Sequence, residues 1–146
     1  IAGFGIPAGF VMPAVVARVR DPRWVVVLLG VLLVSGYLGV WLATTTLPWL
    51  WATLLGVSGF AFPMALALVT ARTRDAHVTT QVSGFIQSIG YLFSGVGPLL
   101  VGVLFEFTGG WDAPLWFLLG SALVFVASGV VAAGPGYVDD ELAARA

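Results

Sequence analysis

Apolar and charged positions are separated into long blocks along this sequence. The charged residues fall into four short groups, at residues 18–23, 72–75, 106–112 and 139–145. The stretches between them, residues 1–17, 24–71, 76–105 and 113–138, contain no charged residue. All but the first are longer than the roughly 20 apolar residues that a helix needs to cross a bilayer. The pattern therefore predicts an integral membrane protein.

The stretch at residues 24–71 is long enough for two spans joined by a turn. Its middle, residues 44–48, consists of three threonines followed by Leu47 and Pro48. Threonine is a poor helix former, and proline is tolerated in the first turn of a helix but breaks its interior. We therefore place a turn here, which gives five spans in all. The predicted spans are residues 1–17, 24–43, 49–70, 81–105 and 114–133.

These spans should be helical, because a backbone surrounded by lipid must satisfy its own hydrogen bonds. The apolar runs lack the alternation of apolar and polar residues that is typical of a membrane β-barrel. The prediction is an all-α, polytopic transmembrane bundle over residues 1–138, followed by a short tail at residues 139–146. The sequence begins with Ile1 inside an apolar run and without a methionine, so we expect Ile1 to lie inside a longer protein.

The arginines indicate the orientation of the bundle. If the five spans alternate in direction, all arginines lie on one side of the membrane, and most tryptophans lie near the opposite span ends. Arginine and lysine are enriched in cytoplasmic loops. The C-terminus and its tail are therefore predicted to be cytoplasmic. The arginines on this side are Arg18, Arg20, Arg23, Arg72, Arg74 and Arg145.

The composition narrows the classes of function. Hydrophobic residues make up 60% of the chain, charged residues make up 9%, and the net charge is -1. A chain of this kind offers no basic face to a nucleic acid. It contains no cysteine and a single histidine, and no predicted span carries paired carboxylates. We therefore expect no metal site, no cofactor and no enzymatic activity.

Proline separates the spans into two kinds. It interrupts the first span at positions 7 and 13, the third at Pro63 and the fourth at Pro98, whereas the second and fifth have none in their interior. A proline inside a spanning helix frees a backbone carbonyl, which must then face protein or water. Spans one, three and four are thus predicted to border the interior, and spans two and five to face lipid. The predicted gating or hinge residues are Gly59, Pro63, Gly97 and Pro98.

The fourth span carries polar and small residues at helical spacing, which places them on one face. Gln87 is costly in hydrocarbon unless its amide finds partners, and Tyr91 lies one turn further along the same face. Amide and phenol groups on an aromatic wall could orient a small polar ligand. Contacts between helices are the alternative for the polar residues, and plain packing is the alternative for the aromatic ones. The predicted substrate-binding residues are Ser83, Gln87, Tyr91 and Ser94 of this span and Phe60 of the third.

Two charged loops place arginine next to aspartate at predicted cytoplasmic helix ends. These side chains could pair with each other, with lipid phosphates or with neighbouring loops. They either set the topology of the spans or form a latch that opens during a conformational cycle. On the opposite side, Asp112 is predicted to cap the start of the fifth span. The residues predicted to pair in the cytoplasmic loops are Arg18, Arg20, Asp21, Arg72, Arg74 and Asp75.

Residues 55–118 contain several motifs at fixed spacing around the fourth span. They resemble the penultimate span and its flanking loops in the cyanate and 2-nitroimidazole permease branch of the major facilitator superfamily. The residues that carry the resemblance are Arg74-Asp75-Ala76, Ser83-Gly84, Gln87-Ser88, Gly90-Tyr91, Gly97-Pro98-Leu99-Leu100-Val101-Gly102 and Thr108-Gly109-Gly110-Trp111.

The resemblance implies that the five spans correspond to the eighth to twelfth helices of a twelve-helix carrier. The missing N-terminal half of the carrier and the lipid bilayer are then the expected partners. The resemblance further implies secondary active transport of a small solute by alternating access. The protein would lie in the cytoplasmic membrane of a bacterium, which is the plasma membrane of that cell. The solute would be a small organic or inorganic anion or a small neutral polar or aromatic compound. A membrane scaffold or sensor subunit that moves no solute is the alternative function.

Overall fold

The computed structural model describes residues 5–19, 21–43 and 45–134, and in the first helix it describes side chains from Val11 onward. Arg20, Arg145 and the predicted tail at residues 139–146 lie outside the described residues. Within the described ranges the chain forms helices and no strand, which confirms the all-helical prediction. The helices are α1 (Gly5–Arg18), α2 (Arg23–Leu42), α3 (Pro48–Ser58), α4 (Ala61–Arg72), α5 (Ala76–Thr108) and α6 (Asp112–Ala132).

Four helical segments of the described chain are long and apolar enough to cross a membrane. They are Arg23–Leu42, Pro48–Arg72, Ala76–Thr108 and Asp112–Ala132, and the second of them comprises both α3 and α4. These four segments overlap the second to fifth predicted spans. The chain is therefore a multi-pass membrane protein.

The third predicted span is interrupted at Gly59 and Phe60, between α3 and α4. Pro63 lies in the first turn of α4 and has no amide hydrogen to give to the carbonyl of Gly59. That carbonyl instead accepts from the backbone amide of Phe62 at 3.3 Å, and regular bonding resumes with Met64 donating to Phe60 at 3.1 Å. The proline thus stops one helix and starts the next within a single apolar segment.

The fourth predicted span forms one continuous helix, α5, which is longer than the sequence indicates. The carboxylate of Asp75 caps its start by accepting from the backbone amides of His77 at 2.7 Å and Val78 at 3.3 Å. Gly109 ends it in the left-handed conformation, with φ of 67°. At about 1.5 Å per residue, its 33 residues extend about 50 Å, which exceeds the roughly 30 Å hydrocarbon core.

Glycines on α2 allow it to lie unusually close to α3. A Cβ atom built on Gly36 would lie 2.6 Å from Leu55, and one built on Gly39 would lie 2.1 Å from the indole ring of Trp51. The indole N–H of Trp51 donates to the carbonyl of Ala43 at 3.0 Å, which fixes the ring in this position. Small residues at a helix interface permit such close packing in membranes.

The contact between α2 and α6 is built in the same way, with a glycine on each helix facing a valine on the other. A Cβ atom on Gly30 would lie 2.1 Å from Val126, and one on Gly129 would lie 2.7 Å from Val26. One side of the second predicted span therefore packs on other helices, whereas another side, which carries Val31, is exposed, and its lipid-facing role stays a prediction. Because α2 is apolar on every side, its pattern did not distinguish these two faces.

Contacts at both ends show that α2 and α6 run antiparallel. At one end, Arg23 at the start of α2 lies against Gly134, just after the end of α6. At the other end, the indole N–H of Trp41 donates to Oδ1 of Asp112 at 2.8 Å. The ring of Trp41 also meets that of Trp116 edge to face, with centroids 5.2 Å apart. All described arginines consequently lie toward one end of the bundle.

Asp112 does not cap the start of α6, so that prediction is wrong. The N-cap residue is Trp111, and Asp112 is the first residue of the helix itself. Its carboxylate faces the indole of Trp41 instead and accepts the hydrogen bond described above. The partners are 71 positions apart in the sequence, which is why no local pattern indicated the contact.

A small buried core joins α1, α2 and α4. Its members include Met12 of α1, Val26 and Leu29 of α2, and Met64 and Leu68 of α4, each less than a tenth exposed. By contrast, α5 contributes no buried residue anywhere along its length. The described part of the chain is thus a packed group of helices with one long helix attached at its edge.

We expect Gly39→Ala to destabilise the protein by about 1–3 kcal/mol, because the added methyl group collides with a hydrogen-bonded indole ring that cannot move aside. Thermal unfolding of the purified protein in detergent measures this loss. Gly120→Ala is the matched control, since a Cβ atom at Gly120 meets nothing within 4 Å. Equal unfolding temperatures for the two variants would contradict the close packing of α2 on α3.

We expect Trp41→Phe to lower the stability by about 1 kcal/mol, because it removes the hydrogen bond to Asp112 and keeps an aromatic ring against Trp116. Trp49→Phe is the control, because Trp49 is 85% exposed and its indole has no hydrogen bond among the described residues. The same thermal measurement applies. A larger loss in the control than in Trp41→Phe would show that the outer contact between α2 and α6 contributes nothing.

Candidate functional site

The glycines on the polar face of α5 make no close contact with another described helix. Cβ atoms built on Gly84, Gly90, Gly97 and Gly102 meet no atom within 4 Å. In α2, by contrast, the glycines at the helix contacts meet side chains at less than 3 Å. The glycines of α5 therefore do not serve to pack it against any described helix. They leave free space in front of the polar side chains.

Four of the predicted binding residues share this face of α5. Ser83, Gln87, Tyr91 and Ser94 follow one another at steps of four, four and three residues, and they extend over about 16 Å of helix. Ser83 and Gln87 are half-buried, whereas Tyr91 and Ser94 are exposed. We refer to these four residues as the α5 polar stripe. The structure places them together as the spacing indicated.

The polar groups of the stripe have no hydrogen-bond partners among the described residues. The hydroxyl of Ser88, which points to another side of the same helix, behaves differently and donates to the carbonyl of Gly84 at 2.8 Å. The amide of Gln87 and the phenol of Tyr91 thus remain available to a ligand, to water or to a further protein segment. An amide and a hydroxyl together can both donate and accept hydrogen bonds.

Pro98 adds a fifth polar group to this face. It lies inside α5 and has no amide hydrogen, so the carbonyl of Ser94, four residues earlier, loses its helical partner. The hydroxyl and the freed carbonyl of Ser94 therefore stand side by side. Gly97 precedes Pro98 on an uninterrupted stretch of helix, whereas Gly59 and Pro63 stand at the break between α3 and α4.

Phe60, the predicted binding residue outside α5, lies at the break between α3 and α4. Its side chain is partly buried and packs against the core that α1, α2 and α4 form. The structure thus places Phe60 in a packing contact at mid-span. Its part in a binding site stays a prediction.

The two aspartates of the charged loops act on the backbone at helix starts. Asp21 accepts from the amide of Arg23 at 3.0 Å, and Asp75 caps α5. Arg18 is exposed at the end of α1, Arg74 is exposed in the loop between α4 and α5, and Arg72 is half-buried in the last turn of α4. Arg20 lies outside the described residues. Pairing between the charged side chains of these loops stays a prediction.

A threonine pair joins α4 to α5, and no sequence motif indicated this contact. The hydroxyls of Thr73 and Thr79 lie 2.5 Å apart, and Thr73 is buried. The hydroxyl oxygen of Thr73 also lies 3.0 Å from the carbonyl oxygen of Val69. The hydroxyl oxygen of Thr79 lies 2.9 Å from the carbonyl oxygen of Asp75. This contact fixes the start of the α5 polar stripe relative to the end of α4. Threonines near loops are common, so composition alone could not identify the pair.

No group of three or more histidine, cysteine, aspartate or glutamate side chains comes together in the part of the chain that the structure describes. Glu106 is exposed near the end of α5, and Asp112 is engaged by Trp41. The chemistry of the candidate site is therefore that of neutral hydrogen-bonding groups.

Sequence comparison relates the chain to bacterial transporters. The uncharacterized transporter YycB of Bacillus subtilis (strain 168) is 32% identical over 135 residues, which are 91% of this chain and 34% of the relative. The cyanate transport protein CynX of Escherichia coli (strain K12) is 34% identical over 72% of this chain and 28% of its own length. The 2-nitroimidazole transporter of the same organism is 28% identical over 73% of this chain and 27% of its own length.

The chain spans between about a quarter and a third of the length of these curated relatives. No protein-family model matches it, and no solved structure matches it. The relatives are named as transporters, in agreement with the membrane character that the sequence predicted.

We expect the α5 polar stripe to face water when the intact protein is in its membrane. The chain has no cysteine, so single cysteines can be introduced without background labelling from these residues. Tyr91→Cys should react with a charged, membrane-impermeant thiol reagent, and the neighbouring Leu92→Cys should not. The two side chains are almost equally exposed, at 64% and 67%, but point about 100° apart around the helix. Equal labelling of both variants would contradict a water-facing stripe.

Proposed function

We propose that this chain forms the C-terminal part of a secondary carrier for a small solute. The chain is homologous to transporters of the major facilitator superfamily, in the branch of the cyanate and 2-nitroimidazole permeases. Residues 1–138 would form its transmembrane bundle, and residues 139–146 a short cytoplasmic tail. In such carriers two bundles rock about a binding site between them. The missing N-terminal half would supply the second wall of that site.

The observation that supports this proposal most is the open α5 polar stripe. An unpaired amide in hydrocarbon costs several kcal/mol, so Gln87 must face protein or water in the assembled carrier. Its amide has no hydrogen-bond partner among the described residues and its side chain is only half-buried, although α2, α3 and α6 pack closely against one another. A stripe that stays open while the rest of the bundle is packed is suited to a water-filled path.

The groups of the stripe favour a small solute that has hydrogen-bond acceptors and π electrons. The amide of Gln87 and the hydroxyl of Tyr91 can donate to such a solute, and the aromatic ring of Tyr91 can stack on it. Cyanate and 2-nitroimidazole, which name two relatives, both fit this description. The predicted spans carry no charged side chain, so any charge on the solute would be balanced by residues outside them.

Conformational change would use the backbone interruptions on the two helices that flank this region. Gly59 and Pro63 mark a break where α3 and α4 can change their relative angle, and Gly97 and Pro98 weaken α5 beside Ser94. The charged loops at residues 18–23 and 72–75 would lie on the cytoplasmic side and open or close with the cycle. The C-terminus is then cytoplasmic, in a bacterial cytoplasmic membrane.

A scaffold or sensor that moves no solute is the less favoured function, because the named relatives are transporters.

We expect Gln87→Ala to lower uptake at least tenfold without reducing the amount of protein in the membrane. Labelled cyanate and labelled 2-nitroimidazole, supplied to cells that express the full-length protein, are the probes. A tenfold loss corresponds to the removal of one hydrogen bond to a solute that has no replacement partner.

Gln81→Ala is the matched control for this experiment. The substitution is the same, but Gln81 lies six residues earlier, about 120° around the helix, and its amide contacts the ring of His77 at 3.0 Å. It should leave uptake unchanged. Normal uptake by Gln87→Ala, or an equal loss in both variants, would remove the stripe from the solute path.

A further inference from the structure

A second open feature lies about 100° around α5 from the polar stripe, and it is apolar. This cavity of about 500 Å³ lies between α2, α4, α5 and α6. Buried Val26, Met64 and Leu68 form its floor, and Val82 and Ile86 of α5 form one wall. Its volume lies within the roughly 300–1,000 Å³ that small-molecule sites occupy. The cavity uses none of the residues of the α5 polar stripe.

Polar groups are nearly absent from this cavity. Among the described residues that line it, Arg72 alone is charged and Ser128 is the other residue with a polar side chain. The hydroxyl of Ser128 already donates to the carbonyl of Val124 in its own helix at 2.8 Å. A small polar solute would therefore find no free partner inside. The natural occupant is a hydrocarbon chain with a negative group at one end.

The depth of the cavity matches one leaflet of a bilayer. Its α4 wall begins at Ala61, at the mid-span break, and ends at Arg72 in the last turn. Eleven steps of about 1.5 Å give about 16 Å, and half of a roughly 30 Å hydrocarbon core is about 15 Å. The cavity thus runs from the middle of the membrane to its surface, with the arginine at the surface end.

The cavity is also open to the lipid around the bundle. Ala65 and Ile86 line it and are nevertheless exposed, as is Val131 on the α6 side. A molecule that diffuses in the plane of the membrane can therefore enter from the side without crossing the packed core.

Two arginines lie near the surface end of the cavity. Arg23, at the start of α2, lies against Gly134, two residues after the cavity-lining Ala132, and its buried Nε has no hydrogen-bond partner among the described residues. Arg72 and Arg23 thus provide positive charge at the level where phospholipid headgroups lie.

We propose that this cavity binds one acyl chain of an anionic phospholipid and that Arg72 holds its phosphate. Basic pockets between helices at a membrane surface recognise anionic headgroups in this way. The site lies apart from the α5 polar stripe, so it would persist if the transport proposal failed. It distinguishes phospholipids by charge, because a zwitterionic headgroup brings a second cation toward Arg72 and Arg23.

Lipid retention by the intact protein tests this site. The protein is reconstituted in nanodiscs of equal parts phosphatidylglycerol and phosphatidylcholine, released into detergent, and examined by native mass spectrometry for bound lipid. We expect wild type to retain phosphatidylglycerol in preference to phosphatidylcholine. Arg72→Gln should retain about fivefold less phosphatidylglycerol, the factor that corresponds to about 1 kcal/mol for a basic residue near the surface. Ala65→Trp, which fills the cavity, should retain neither lipid.

Two matched controls separate this site from general lipid contact. Arg18→Gln removes an exposed arginine from the same end of the bundle, and Ala127→Trp adds an indole to an exposed position of α6 that does not line the cavity. Both should retain phosphatidylglycerol as wild type does. Equal retention of the two lipids by wild type, or unchanged retention by Arg72→Gln and Ala65→Trp, would overturn the proposal. A disulfide would also overturn the proposal if it formed between the cysteine of an Ala65→Cys variant and a cysteine on another helix of the same protein. That helix would then occupy the cavity.

Discussion

The close approach of α2 to its neighbours determines where the other described helices lie. Apolar helices gain little from the hydrophobic effect inside a bilayer, so contact between their surfaces must hold them together. Gly36 and Gly39 bring α3 close on one side of α2, and the reciprocal Gly30 and Gly129 contacts bring α6 close on another. The hydrogen bond from Trp41 to Asp112 then fixes the two outer ends. The core that α1 and α4 complete is packed against this framework.

The long helix α5 is held in a different way, and this difference separates the structural part of the chain from the part that we propose to be functional. Its start is fixed by the Asp75 cap and by the contact between Thr73 and Thr79. At its far end the ring of Phe105 lies 4.8 Å from that of Trp111. Between these two points, Cβ atoms built on its glycines would lie more than 4 Å from any other described residue outside the helix itself. A helix anchored mainly at its ends can present its middle to a solute, to water or to a second bundle.

The sequence predicted the features of this fold that depend on local pattern. The apolar runs identified the helices because the length of a run and the absence of charge are sufficient to indicate a span. Pro63 indicated an interruption, and the structure shows why, since the carbonyl of Gly59 needs another donor. The spacing of Ser83, Gln87 and Tyr91 likewise predicted a shared face, because helical periodicity requires it.

Contacts between distant residues could not be predicted in the same way. The second span is apolar all round, so nothing local marked the glycine face as the packed one. Gly39 and Gly30 allow close contact with Trp51 and Val126, respectively. These two partners lie on other helices, so the sequence around each glycine does not indicate the contact. The role of Asp112 was misassigned for the same reason, since a carboxylate before an apolar run is typical of a helix cap. The local sequence pattern does not indicate how the helices are placed relative to one another, because this placement depends on the shapes of side chains that meet across helices.

The placement of α5 joins the two proposed sites. Ile86 lines the apolar cavity and Gln87, the next residue, belongs to the α5 polar stripe, so the two side chains point about 100° apart on one rigid turn. A rotation or tilt of α5 that changes the exposure of Gln87 must also move the wall that Ile86 provides. A lipid that binds the cavity more tightly in one conformation of α5 would increase the population of that conformation. Because linkage is reciprocal, a solute that binds the stripe more tightly in the other conformation would weaken lipid binding. The cavity would therefore link the composition of one leaflet to the conformational equilibrium of the carrier.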